Sequence, residues 1–190
     1  MSVSIPSLAQ EREWLRLAQH HHDAQAFGQL VALHQGRVRA VLRKLTRGQQ
    51  ALADELAQET FIKAWRALPT FRHGAQWSTW LHRIAYLEFL QHQRRWADEH
   101  ASTASPEHEA IAATHSAHDL RLDLEKALAQ LHPLENAAIV YCYHSGLNHA
   151  EAAQVLDLPL GTVKSHVMRG RAKLQTLLAA WKHTDIQESP

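Results

Sequence analysis

Lys164, Arg169, Arg171 and Lys173 fall within one stretch, GTVKSHVMRGRAKL (Gly161–Leu174), that holds no carboxylate. Read as a helix, it sends Val163, Val167, Gly170, Leu174 and Leu178 inward. Lys164, Ser165, His166, Met168, Arg169 and Arg171 then point elsewhere, with Thr162 at the helix start. An Arg can pair bidentately with a guanine edge, and a Lys can hold a phosphate. The plain alternative is a solvated basic face. The preceding residues favour nucleic acid. Asn148 with Glu151 three residues later reads as a capping box, opening a short helix over His149–Leu156. Asp157-Leu158-Pro159-Leu160 turns the chain, and the basic helix starts at Gly161 or Thr162 and runs to about Trp181. Short helix, turn and second helix make a helix-turn-helix pattern.

Two other groups could bind something. Asp54, Glu55, Gln58 and Glu59 give another helix an acidic, polar outer face. Further on, Trp77 and Trp80 flank Ser78-Thr79, and Arg83, His92, Arg94 and Arg95 follow. Aromatic rings can stack on unpaired bases and the cations can hold phosphates. Trp80 shares an inward stripe with Leu81 and Ile84 and is assigned to the core. Trp77, at the helix entrance, stays open between core and stacking.

The elements that must position these residues are helical. Apolar residues recur at three and four, Gly is scarce and β-branched runs are short. The expected fold is all-α, with two small helical domains joined by a flexible linker. Residues 1–22 form a leader helix. Residues 23–96 form the first domain, with Asp23 as an N-cap, Gly48 ending one helix, another from about Leu52 to Leu68, and a last one starting near Ser78. Residues 97–118 are small, polar and acidic and read as a tether. Residues 119–182 form the second domain, with Glu135–Tyr143 as one of its helices, and residues 183–190 are a tail.

Formal net charge is only +1, so total charge does not announce a nucleic-acid binder. Its distribution does: five Lys/Arg and no Asp/Glu lie from Leu160 to Lys182, against three acids and no Lys/Arg from Ala101 to Leu120. A lone cysteine, Cys142, excludes an internal disulfide and a zinc knuckle. The start MSVSIPSLAQEREW lacks a signal-peptide pattern, and no apolar run is long enough to span a membrane, so a cytoplasmic protein is expected. His20-His21-His22 invites a metal reading. Consecutive helical residues diverge by about 100°, so three in a row do not converge on one ion. His115 and His118 have chelating spacing but lie in the tether. No metal or other cofactor is expected. Neither G-x-S-x-G, H-E-x-x-H nor a phosphate-cradling Gly loop is present, so no enzyme is expected.

Two tracts together resemble one family. LAQETFIKAWRALPTFRHGAQWSTWLHRIA (Leu56–Ala85) is similar to region 2 of bacterial sigma factors, and ALAQLHPLENAAIVYCYHSGLNHAEAAQVLDLPLGTVKSHVMRGRAKL to region 4. Region 2 joined to region 4 by a short linker resembles the extracytoplasmic-function (ECF) type. By itself GTVKSHV also resembles the helix-turn-helix of LuxR-type regulators, which act without being polymerase subunits; region 2 separates the two. The resemblance implies a subunit that binds core RNA polymerase through its beta-prime and beta subunits, recognises −35 and −10 promoter DNA and starts transcription. It implies polymerase docking through DELAQETF, with Asp54, Glu55, Gln58 and Glu59. For −35 DNA it implies Thr162, Lys164, Ser165, His166, Arg169 and Arg171, and for −10 DNA Trp77, Arg83, His92, Arg94 and Arg95. It also implies an anti-sigma partner. Leu87 and Gln91 depart from the family pattern, standing where many members carry Asn and Asp.

Overall fold

The computed structural model describes residues 7–72, 76–100 and 124–184, and all regular structure among them is helical. Helix α1 spans Leu8–His21, α2 Ala24–Leu45 and α3 Gln50–Ala67, followed by a 3₁₀ turn at Leu68–Thr70. Helix α4 spans Trp77–His100. From residue 124 onward come α5 (124–129), α6 (Pro133–Ile139), a π turn (Val140–His144), α7 (His149–Leu156) and α8 (Leu160–Thr184). His115, His118 and the remainder of the tether lie outside the described residues, as does the tail from residue 185.

Local chemistry sets the boundaries. Ser7 caps α1, and His22 ends it in a left-handed conformation (φ 51°). The Asp23 carboxylate then accepts from the amides of Gln25 (2.8 Å) and Ala26 (3.1 Å), satisfying donors that a helix start leaves unpaired. Leu30, Val38, Val41, Leu42 and Leu45 of α2 face Leu56, Ala57, Phe61 and Ala64 of α3, all buried. Helix α1 packs on α2 and reaches the turn after α3: His34 Nε2 meets Glu11 Oε1 at 3.0 Å, and Gln19 donates to the Phe71 carbonyl at 2.7 Å.

Three boundaries differ from expectation. Helix α3 begins at Gln50 rather than near Leu52. Helix α4 runs on through His100, so residues 97–100 are helical rather than tether. There His100 Nδ1 donates to the Trp96 carbonyl at 2.8 Å and the two rings stack at 4.5 Å, extending the last turn. The helix expected over Glu135–Tyr143 starts at Pro133 and changes pitch. Pro at the first helical position is favoured because its missing N–H would have no partner there. From Val140 the ladder widens, and the Ser145 amide donates to the Val140 carbonyl five residues back at 3.1 Å. A residue is thereby accommodated without leaving the helix axis.

The apolar core runs from the first helical unit into the second through α4. Tyr141, fully buried, lies edge-on to His82 (5.7 Å) and Tyr86 (6.0 Å) of α4.

Candidate nucleic-acid interface

The helix-turn-helix is assembled by caps. Asn148 Oδ1 accepts from the amides of Ala150 (2.9 Å) and Glu151 (3.0 Å), and Glu151 Oε2 accepts from the Asn148 amide (2.8 Å). Helix α7 ends at Asp157, which takes the left-handed conformation (φ 56°). Asp tolerates that region better than most residues because its short side chain hydrogen-bonds locally. Thr162 and Val163 donate to the Pro159 carbonyl and start α8.

Val163, Val167 and Gly170 of α8 are buried against the second unit. Lys164, Met168 and Arg171 lie outward at three- and four-residue spacing, with Met168 68% exposed. Thr162 and Ser165 are half-buried, and the Ser165 hydroxyl donates to the Gly161 carbonyl at 2.9 Å. His166 is a correction. Helical spacing alone turns it outward, yet it is buried, its ring parallel to that of His132 at 6.5 Å. Arg169 donates to His166 Nδ1 (3.1 Å), which makes that nitrogen the acceptor of a neutral ring. Burial, then the Arg169 charge, lower the His166 pKa, against an opposing pull from Glu135.

Sequence reasoning missed Glu135. Its carboxylate is buried at the α6–α8 crossing, 2.7 Å from Lys173 Nζ and 3.5 Å from Arg169 Nε. Burial opposes its charge, but the Lys173 hydrogen bond, the His132 amide and the two nearby cations outweigh that and hold the carboxyl below the ordinary range. Two of the four cations in the opening stretch are thus tied to an acid 34 and 38 positions earlier, and Lys164 and Arg171 remain outward. The H-P-L-E spacing announces a cap; nothing in it announces the ion pair.

On α4, Trp77 is buried, packed edge-on to Phe71 (5.5 Å) and tilted against Trp80 (5.1 Å). The question left open at this residue goes to the core, because the chain after Pro69 brings Phe71 back over the helix start. His92 is half-exposed, and Arg94 and Arg95 are exposed. Arg83 is half-exposed and bonded to the second unit, donating to the Gln154 carbonyl and the Asp157 carboxylate. Leu87 is 41% exposed, while Gln91 accepts from Lys63 (3.0 Å), which also pairs with Glu88 (2.6 Å).

Helices α2 and α3 frame a groove of about 990 Å³ floored by Phe27, Val31, Phe61 and Trp65. Asp54, Glu55 and Gln58 line it, whereas Glu59 is exposed outside it. Asp54 also pairs with Arg39 at 3.5 Å. Among the described residues no three His, Cys, Asp or Glu side chains converge on a metal position, and no helix is long and apolar enough to cross a membrane.

Residues 30–98 match the sigma-70 region 2 family and residues 121–174 match sigma-70 region 4. The ECF RNA polymerase sigma factor SigE of Mycolicibacterium smegmatis is 35% identical over 166 residues, covering 84% of this chain and 63% of that protein. The ECF sigma factor SigM of Mycobacterium tuberculosis is 31% identical over 156 residues, covering 82% of this chain and 79% of that protein. Among solved structures, the sigma factor RpoE of Bartonella quintana in complex with the anti-sigma factor NepR aligns with TM-score 0.73 at 31% identity, over 82% of this chain and 98% of that one. CnrH in complex with the cytosolic domain of CnrY aligns at 0.69 and 28% identity, over 90% and 98%. The chain belongs to the ECF RNA polymerase sigma factors, with sigma-70 regions 2 and 4.

Proposed function

We propose that this chain directs core RNA polymerase to promoters through three separate surfaces. The outward face of α8 binds −35 DNA. The distal part of α4 holds the −10 strand through His92, Arg94 and Arg95, with Arg83 joining when free. The α2–α3 groove docks on the polymerase, with an apolar floor for partner side chains, Glu55 and Gln58 at its lip, and Glu59 beside it to meet a polar or basic rim on the partner. Family resemblance puts that contact on the beta-prime subunit, with beta as a further partner. The work is then cytoplasmic, and an anti-sigma protein competes for the same groove; the complex of RpoE with the anti-sigma factor NepR supports the existence of such a partner. No catalytic residue is required, since the polymerase makes the bonds.

One observation carries the reading: Lys164, Met168 and Arg171 form an outward line on a carboxylate-free helix aimed by a capped α7. The LuxR-like alternative would need the same helix but has no use for the α2–α3 groove. Run-off transcription with core polymerase and a randomised promoter library tests the proposal. Transcripts starting a fixed distance from a selected sequence support it, and no initiation on any template sinks it.

A further inference from the structure

Two neighbours on the outward side of α4 differ in character. Leu87 is 41% exposed, turned away from the apolar core. Gln91, four positions on, is exposed and lies one turn further along the same side. A lone exposed leucine needs no account. Gln91 is different, because its side chain is oriented. Its Oε1 accepts from Lys63 Nζ at 3.0 Å, and Lys63 is held in turn by the buried Glu88 carboxylate at 2.6 Å. An ammonium can only donate, so the Gln91 oxygen must face Lys63 and the amide N–H groups are left to donate elsewhere. Helical side chains lean toward the N-terminus, which tips that donor back toward Leu87. Arg94, seven positions past Leu87 and exposed, sets a cation on the same line.

A hydrogen-bond donor beside an apolar surface matches one base edge. Thymine sets an acceptor, O4, next to its C5-methyl group, whereas adenine and cytosine present an amino donor and guanine two acceptors without a methyl. We propose that Leu87 and Gln91 together read a thymine in −10 DNA, Leu87 against the methyl and Gln91 to O4, with Arg94 on a neighbouring phosphate. This deepens the functional reading above and rests on its assignment of α4 to −10 DNA. Lys63 is a positioning residue, fixing which end of the amide meets the base. Asn and Asp, which many members carry at these two positions, offer a methyl no apolar surface, so the preference follows from this chain's own residues.

The experiment takes the promoter selected by run-off transcription and replaces each thymine of its −10 half, one at a time, by uracil, which lacks only the methyl. Affinity of the polymerase complex should fall about three- to fourfold at one position, the effect of burying one methyl, and Leu87→Ala should abolish that difference. At the same position a 5-methylcytosine·guanine pair keeps the methyl and turns the acceptor into an amino donor. The unmodified chain should bind it about tenfold more weakly than thymine, whereas Gln91→Glu, whose carboxylate accepts from that amino group, should reverse the order. Ratios are compared between proteins, so the differing stabilities of the base pairs cancel. Both side chains are exposed, so neither variant disturbs the core. A methyl loss felt nowhere, or felt equally with and without Leu87, overturns the reader, as does a thymine preference unchanged in Gln91→Glu. Arg94→Ala separates that failure from the wider one. If it lowers the salt slope by about 0.9 while no thymine is sensed, the assignment of α4 to −10 DNA stands without the reader. If the slope is unchanged and no thymine is sensed, both fall.

Discussion

Gly170 and Ile139 touch across the α6–α8 crossing so closely that a Cβ on Gly170 would stand 2.9 Å from Ile139 Cγ1 and 3.4 Å from the Glu135 carbonyl oxygen. Backbone cannot yield as a flexible side chain does. Gly170→Ala should cost about 1–2 kcal/mol net, the overpacking penalty reduced by the better helix propensity of Ala. In the Ile139→Ala background the same change should cost less, because the nearer neighbour is gone. Urea titrations of the four proteins check this, and strict additivity would mean the contact does not matter.

Lys164→Ala and Arg171→Ala should each weaken −35 DNA binding and reduce the salt slope by about 0.9 for each phosphate no longer neutralised. Arg169→Ala should reduce it less, because that guanidinium is already committed to His166 and Glu135. Affinity measured over a salt series separates the three. Equal slopes for all four proteins would remove this helix face from the interface.

Glu135→Gln keeps the shape at the crossing and removes the charge held against Lys173. A hydrogen bond to a charged group contributes about 1.5–3 kcal/mol, so a loss toward the lower end is expected with a neutral amide in place. The carboxyl is held below its ordinary range, so its contribution is complete above the unfolded-state carboxylate pKa. It fades as pH falls through the lower folded value. The native chain should therefore lose stability below about pH 4.5 more steeply than the variant, which circular dichroism melts can follow.

His82 gives the same sign from a different cause, at a higher pH. Burial, helped by the charges of His34, Arg37 and His144, pushes its pKa down to about 4. The unfolded chain takes up that proton below its ordinary value, whereas the folded chain resists it. The neutral ring thus contributes fully above about pH 6.5, and about 3 kcal/mol is lost as pH falls to 4. His82→Phe should flatten the stability profile in this window. Some slope should persist, because burial also lowers the pKa of His34. An unaltered profile in the variant would show that His82 does not govern it.

Glu59→Lys should weaken polymerase binding with helical content intact, since the side chain is exposed and its helix is held by Leu56, Ala57 and Phe61 on the other side. Competition for core polymerase against the unmodified chain measures it. Undiminished competition would take Glu59 out of the docking surface.

Periodicity and caps make the helices legible: Asp23, Asn148 with Glu151, and the turn at Asp157 all stand where local chemistry puts them. The ends are harder, because α4 is carried past Trp96 by a ring contact that no propensity encodes. The site is legible by type and only partly by direction. Lys164 and Arg171 face outward as their spacing implies, whereas His166 turns in because α6 and its cap supply a parallel His132 ring and a buried acid beneath it. Arg83 reads as free for DNA because its partners, Gln154 and Asp157, lie more than 70 positions away. Such long-range pairings leave no trace in a local pattern.

The widened turn at Val140–His144 sets the angular phase at which the chain leaves α6 for the loop before α7. One residue advances an α-helix by about 100°, so excising a single position there would restore ordinary pitch and turn the segment after it by about that angle. Helix α8 would stay pinned to α6 through Glu135 and Gly170, so the mismatch would fall on Tyr141, on its slot between His82 and Tyr86, and on the short stretch that leads to Asn148. The rotational offset wound into this turn thus serves the mesh of the second unit with α4.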